Sequence, residues 1–224
     1  MTLSVKTQKI KGFFDDLLSL ILPKDADTAE IESMSLEVLS EKIPRSHELE
    51  ENTHKTLFQY KNKIARKAIW EIKYKGNPKI AGKFSTLFYE YILETISDET
   101  IFSNFTDPLL VPIPASKLSL KERGFNQCEL IAKEIKKIDN KKNFEICLSV
   151  LLKIKETLHQ SKLKNRSKRF KNLQGCFRAD HEKIKGRNVI LIDDVITTGA
   201  TMKEASKTLR KAGAKKVICF GIAH

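Results

Sequence analysis

Cysteine is scarce and scattered in this chain. Four occur in 224 residues, at 128, 147, 176 and 219, with no Cys-x-x-Cys pair. That spacing excludes a disulfide framework and argues against a zinc site, so the thiols are expected to be buried groups in a reducing cytoplasm. The five histidines, at 47, 54, 159, 181 and 224, are equally dispersed. No stretch approaches the roughly 20 uninterrupted apolar residues needed to span a bilayer. The apolar segment near the start is broken by Asp15 and Asp16 and lacks a small-residue cleavage site, so export is not expected either. Glycine-rich nucleotide motifs are missing too. There is no Gly-x-Gly-x-x-Gly, and the nearest approach to a P-loop, Gly76 to Phe84, has one residue too many between its glycines and Phe84 where a metal-binding hydroxyl belongs. Acids are in deficit: 28 against 41 Lys and Arg, a net charge of +13. Such a surplus favours polyanionic partners, nucleic acid or a phosphorylated substrate, or simply clothes a solvated surface.

A chain of this length can bury one substantial α/β core with an appendage, without metals or cross-links. Ile10, Phe13, Phe14, Leu17, Leu18, Ile21 and Leu22 mark one face of a helix ended by Pro23, suited to docking on the domain or on a second copy as a homodimer. From Pro23 to His54 the chain is acidic and reads as a linker or a weakly helical appendage, with a short helix expected after Ser35 and closed by Pro44. Residues 1–55 therefore form an N-terminal helix with an acidic segment, and 56–224 the compact domain.

Within that domain, Leu57–Tyr60 reads as a strand, Ala65, Ile69 and Ile72 as a helix face ending by Gly76, and a second helix follows Pro78. Leu109–Pro114 is a strand running out in prolines, and Leu130, Ile131 and Ile135 lie on the inner side of a helix. Ser149–Ile154 and Val217–Ile222 complete the strands. Strands alternating with helices imply a mainly parallel sheet. Residues 151–187 carry twelve Lys or Arg against Glu156, Asp180 and Glu182. Lys162, Lys164, Arg166, Lys168, Arg169 and Lys171 could track a phosphate backbone, with Phe170 and Phe177 for stacking, or form a solvated loop.

The most informative stretch is Val189 to Thr201. Four aliphatic residues, then Asp193-Asp194, then a Thr/Gly turn describe a buried parallel strand stopping at a polar edge. Met202, Ala205, Leu209 and Ala212 continue it as a helix, with Gly213 as its stop. The first amides of such a helix favour an anion. Thr197, Thr198, Gly199, Ala200 and Thr201 would wrap a phosphate, Gly199 allowing close approach and the three hydroxyls adding donors. A carboxylate cannot accept from a phosphate without a proton but can accept from sugar hydroxyls, so the combination asks for a sugar phosphate.

This stretch resembles the motif by which type I phosphoribosyltransferases hold phosphoribosyl pyrophosphate (PRPP). The resemblance implies Asp193 and Asp194 on the ribose hydroxyls, Thr197 to Thr201 on the 5-phosphate, and Ala115, Ser116 and Lys117 as the pyrophosphate loop. It also implies a phosphoribosyltransferase type I-like three-layer α/β fold. Taken in order, Lys73-Tyr74-Lys75-Gly76, Val111-Pro112-Ile113-Pro114, Arg123-Gly124-Phe125-Asn126-Gln127, the run from Gln160 through Arg166, Arg169, Asn172 and Gly175, and the 189–201 motif together resemble the ComF family. Members are phosphoribosyltransferase-like proteins associated with competence, the uptake of DNA and its handling as a single strand; the related GntX branch is named for gluconate utilisation. Many members carry an N-terminal four-cysteine zinc ribbon. Residues 1–55 here hold no cysteine, so zinc is not carried over.

Two functions follow from the resemblance. One is a competence-linked adaptor that binds PRPP with Mg²⁺, single-stranded DNA and competence proteins. The alternative is an active PRPP-dependent transferase of nucleotide metabolism, in which Asp193 and Asp194 orient the ribose as catalytic groups while pyrophosphate leaves C1.

Overall fold

A computed structural model describes residues 25–46, 54–155 and 173–224. The apolar helix expected at 10–22 and the basic residues 162–171 lie outside them. Ser35 opens a helix as its sequence predicts: α1 (Ala26–Ser33) is capped by Asp25, α2 (Leu36–Lys42) by Ser35, whose hydroxyl accepts from the Val38 amide. Of the two expectations for this acidic stretch, the helical one holds for residues 25–46. It is no free linker, because Ile31, Met34, Leu39 and Ile43 are buried in the main core, and Lys83 bonds the carbonyls of Glu32 and Met34.

Strand β1 (His54–Phe58) leads through Asn62, whose side chain accepts from the amides of Ile64 and Ala65, into α3 (Lys63–Trp70). That helix does not end at once. It widens into a π-helical turn, Glu71–Lys75, and stops at Gly76 in the left-handed region with φ 61°. Asn77 then caps α4 (Pro78–Ser103), with Pro78 in the first turn where its missing amide costs nothing. Next come β2 (Leu109–Pro112), α5 (Lys117–Arg123), α6 (Gln127–Ile138) and the short β3 (Glu145–Ile146). The chain ends with β4 (Leu151–Lys153), β5 (Phe177–Ala179), α7 (His181–Ile184), β6 (Asn188–Val195), α8 (Ala200–Lys211) and β7 (Lys216–Ala223).

Five strands form one parallel sheet in the order β1-β7-β6-β2-β3. Successive strand residues point to opposite faces. Accordingly Ile190 and Ile192 of β6 join one core with α1 to α4 and α6, while Val189 and Leu191 join a second with α8. This is the three-layer α/β arrangement. The strand expected at 149–154 is not part of it: β4 pairs antiparallel with β5 as a separate two-stranded flap over the second core. Phe177, considered as a stacking residue, is 5% exposed and belongs to that core.

Topology singles out one crevice. From β2 the chain moves outward to β3, and from β6 it moves the other way to β7. The carboxyl ends of β2 and β6, which are neighbours, therefore face a gap between connections that diverge, the place where open α/β sheets bind ligands.

Candidate functional site

Asp193 and Asp194 close β6 at this gap. Because they are adjacent on a strand, their side chains leave on opposite sides, and the two acids meet different neighbours. Asp194 is only 4% exposed. Its Oδ1 accepts from Gln127 Nε2 at 3.2 Å, and its Oδ2 lies 3.5 Å from Lys73 Nζ without a hydrogen-bond partner among the described residues. Asp193 is half-buried, and its Oδ1 accepts from the Asp194 amide at 2.9 Å and from the Cys128 thiol at 3.3 Å.

Electrostatics divides the pair. Loss of water, and then the neighbouring Asp194 charge, push the Asp193 carboxyl well above its ordinary range. Burial acts on Asp194 too, but the Lys73 ammonium outweighs it, helped by the hydrogen bonds from Asp193 and Gln127, and holds that carboxyl low. Lys73 is raised in return, chiefly by Asp194. Cys128 is pushed well up by burial and then by the two acids, which leaves it a thiol.

The residues around the acids come from the Lys73–Gly76 and Arg123–Gln127 fragments, whose individual roles the sequence did not disclose. The π-helical turn carries Lys73 to Asp194. A Cβ on Gly76 would stand 3.2 Å from the Phe125 ring, so the left-handed glycine leaves room for the aromatic to close over the end of the turn. Gly124, at φ 83°, terminates α5. Asn126 donates to the Ile113 carbonyl at 3.0 Å and accepts from the Cys128 amide, tying the start of α6 to the end of β2. Gln127 and Cys128, in the first turn of α6, then reach one acid each.

Across the crevice, α8 begins at Gly199 with φ 69°, and no side chain caps it. The other seven described α-helices each open on a side chain that accepts from an early amide. Thr198 Oγ1 is buried and also lacks a hydrogen-bond partner among the described residues. Thr197 is exposed, Thr201 half-buried and Ala200 buried. His54 presses on the loop: a Cβ on Gly199 would fall 2.5 Å from its Nε2. Behind the loop, Ile196 is clasped between the Ala223 carbonyl, which takes its amide at 2.9 Å, and His224 Nδ1, which meets its carbonyl at 2.6 Å.

The other predicted loop is built differently. Ser116 caps α5, accepting from the Ser119 amide at 3.0 Å, and is nearly buried, while Lys117 already belongs to the helix and Ala115 precedes the cap. The structure thus brings Asp193, Asp194 and 197–201 together with Lys73, Gln127, Cys128 and His54.

The profile of the phosphoribosyl transferase domain matches residues 130–223. Competence protein F of Haemophilus influenzae is 31% identical over 117 residues, covering 51% of this chain and 49% of that protein. Competence protein ComFC of Bacillus subtilis is 29% identical over 161 residues, 71% of this chain and 59% of its own length. These matches support a ComF-family protein of the phosphoribosyltransferase fold. DNA utilization protein YhgH of Escherichia coli is a further relative, 26% identical over 149 residues that cover 66% of this chain and 62% of that one. The chain thus spans about half to three-fifths of the length of these ComF relatives. Among the described residues, no helix is long and apolar enough to cross a membrane.

Proposed function

We propose that this ComF-family chain binds PRPP, or another phosphoribosyl ligand, with Mg²⁺ at the β6–α8 corner and acts in competence, handling incoming DNA as a single strand in the cytoplasm. One observation carries the ligand reading. The only described α-helix that starts without a side-chain cap is the one facing the acid pair, and a buried hydroxyl without a described partner, Thr198 Oγ1, stands beside it. Buried polar groups are normally satisfied, and a set left open around one helix start suits an anionic ligand. The 5-phosphate would accept from the amides of 199–201 and from Thr198, while Asp194, held ionised by Lys73, would accept from a ribose hydroxyl.

The acids also fit magnesium, within limits. Ligand atoms of Cys128, Asp193 and Asp194 lie within 4.8 Å of one another, but a buried thiol is a poor partner for so hard a cation, and Lys73 already faces Asp194. The fit is therefore to a magnesium held mostly by ligand oxygens with carboxylate support. When bound it neutralises pyrophosphate charge.

The nucleic-acid part draws on the net charge of +13, on the basic residues between 162 and 171, and on relatives named for competence and DNA utilization. Thermal stabilisation tests the ligand site directly. PRPP with Mg²⁺ at about 100 times its Kd should add about 2.7 kcal/mol, roughly 5–10 °C in Tm for a chain of this size. The gain should vanish in Asp193→Ala, and no shift in the wild type would remove the proposal.

The active transferase is the second reading, favoured by the divided acid pair, one carboxyl raised and one lowered, as acid–base partners commonly are. Pyrophosphate release from PRPP in the presence of free nucleobases, lost in Asp193→Ala, is its test.

A further inference from the structure

The core absorbs Phe177, and Phe170 lies outside the described residues, whereas a single-strand track needs aromatic faces open to solvent. They are present on α3 and its π-helical extension. Trp70, the only tryptophan of the chain, is 43% exposed, and Tyr74 is 53% exposed. Their rings lie 5.6 Å apart at 44°, one turn from each other on the helix surface. We propose that Trp70 and Tyr74 form a stacking platform for the bases of single-stranded nucleic acid, with the neighbouring cations receiving its phosphates. The proposal rests on the nucleic-acid reading above and adds residues other than 162–171 to the contact.

The surroundings choose this occupant. Lys67 and Lys75 bracket the indole, with Nζ atoms 5.1 and 5.2 Å from its centroid. Both ammonium groups are pinned by one buried carboxylate: Glu71 lies 3.3 Å from Lys67 and 3.1 Å from Lys75, and is itself held by the Thr28 hydroxyl at 2.9 Å. Lys67 also pairs with Asp25. The two lysines thus fix and polarise the ring more than they add free charge. That charge comes from Lys61, Lys63 and Arg66, all exposed on the same helix or just before it, with Arg66 one turn ahead of Trp70. A protein partner seated on exposed aromatics needs an apolar border, and this border is cationic instead. Flat π faces rimmed by positive charge match a strand whose bases are flat and whose backbone is an anion. The same π turn sends Lys73 inward to Asp194, so a stacked strand would lie next to the ribose-phosphate corner.

The single tryptophan makes the test specific to the site. Intact protein is titrated with a fluorescein-labelled thymidine oligonucleotide, reading anisotropy for affinity, and with the unlabelled oligonucleotide, reading Trp70 emission. The expected result is quenching of Trp70 in step with binding, an affinity that falls steeply with salt, and a loss of about tenfold or more in Trp70→Ala and in Tyr74→Ala, with Trp70→Phe close to wild type. Thermal melts of the variants, expected unchanged because both rings are exposed, separate lost contacts from lost folding. If the oligonucleotide does not bind at all, the nucleic-acid reading fails together with the platform. If it binds but leaves Trp70 emission and the Trp70→Ala affinity untouched, the platform alone is wrong. A blue shift of Trp70 with rising protein concentration and no oligonucleotide, matched by a dimer in sedimentation, would make this a self-association face and would overturn the proposal.

Discussion

Neutralising the two adjacent aspartates one at a time should move stability in opposite directions. In Asp193→Asn the amide can still accept from Cys128 and from the Asp194 amide nitrogen, so the contacts survive and only the second negative charge disappears. Two carboxylates whose oxygens lie within 4.8 Å repel by about 3.5 kcal/mol at an effective dielectric of about 20. The raised Asp193 carboxyl relieves part of this in the wild type, so the gain from Asn should be about 2 kcal/mol near neutral pH, or roughly 4–8 °C in Tm. Because the folded Asp193 carboxyl is raised, the wild type has its full stability below the unfolded value and loses some as pH rises through the folded value. The advantage of Asp193→Asn must therefore shrink in acid and grow with pH. Asp194→Asn should do the reverse. It leaves Lys73 facing an uncharged group, and since the lysine is about one-third exposed, the cost is about 1–2 kcal/mol. The folded Asp194 carboxyl is lowered, so that cost should stay flat above the unfolded value and fade only as pH drops through the folded one. Denaturant titrations carried from about pH 8 down past the ordinary aspartate value of about 4 read both. Equal destabilisation by the two variants, or a pH-independent Asp193→Asn difference, would refute the division of charge.

Other substitutions probe the scaffold. Gly199→Ala places a Cβ 2.5 Å from His54 Nε2 in the left-handed region; it should cost about 1–2 kcal/mol and abolish stabilisation by PRPP with Mg²⁺ in the thermal melt. Gly76→Ala meets the Phe125 ring at 3.2 Å and should weaken PRPP binding more than its own cost of about 1 kcal/mol suggests, because Gln127 and Cys128 follow that ring in sequence. Phe84→Ala, buried against the Phe58 ring at 5.8 Å, should lose about 3–5 kcal/mol in urea denaturation.

The half of the site carried by one continuous segment was legible from its residues. Strand β6, the two acids and the start of α8 depend on local order: aliphatic run, polar edge, glycine turn, helical period. What could not be derived were contacts made across the fold. Lys73, Gln127 and Cys128 stand far from 193–194 in sequence, and although family resemblance drew attention to the first two fragments, it did not say which side chain touches which acid. His54 gave no signal, being an isolated histidine at the start of a strand. Helix α5 gives no periodic signal in the sequence because it buries no residue. The aliphatic run at 149–154 reads as a strand of the main sheet because burial against a flap and burial inside a sheet leave the same composition.

The π-helical turn has a consequence for how this corner tolerates change. Such a bulge holds one residue more than the α-helix it interrupts. Deleting a single position between 71 and 75 would let the segment rewind, swinging Lys73 about 100° around the axis and away from its acid. Length, and not only identity, is thus under constraint here: a deletion that an exposed loop would absorb would here disconnect the cation from the crevice.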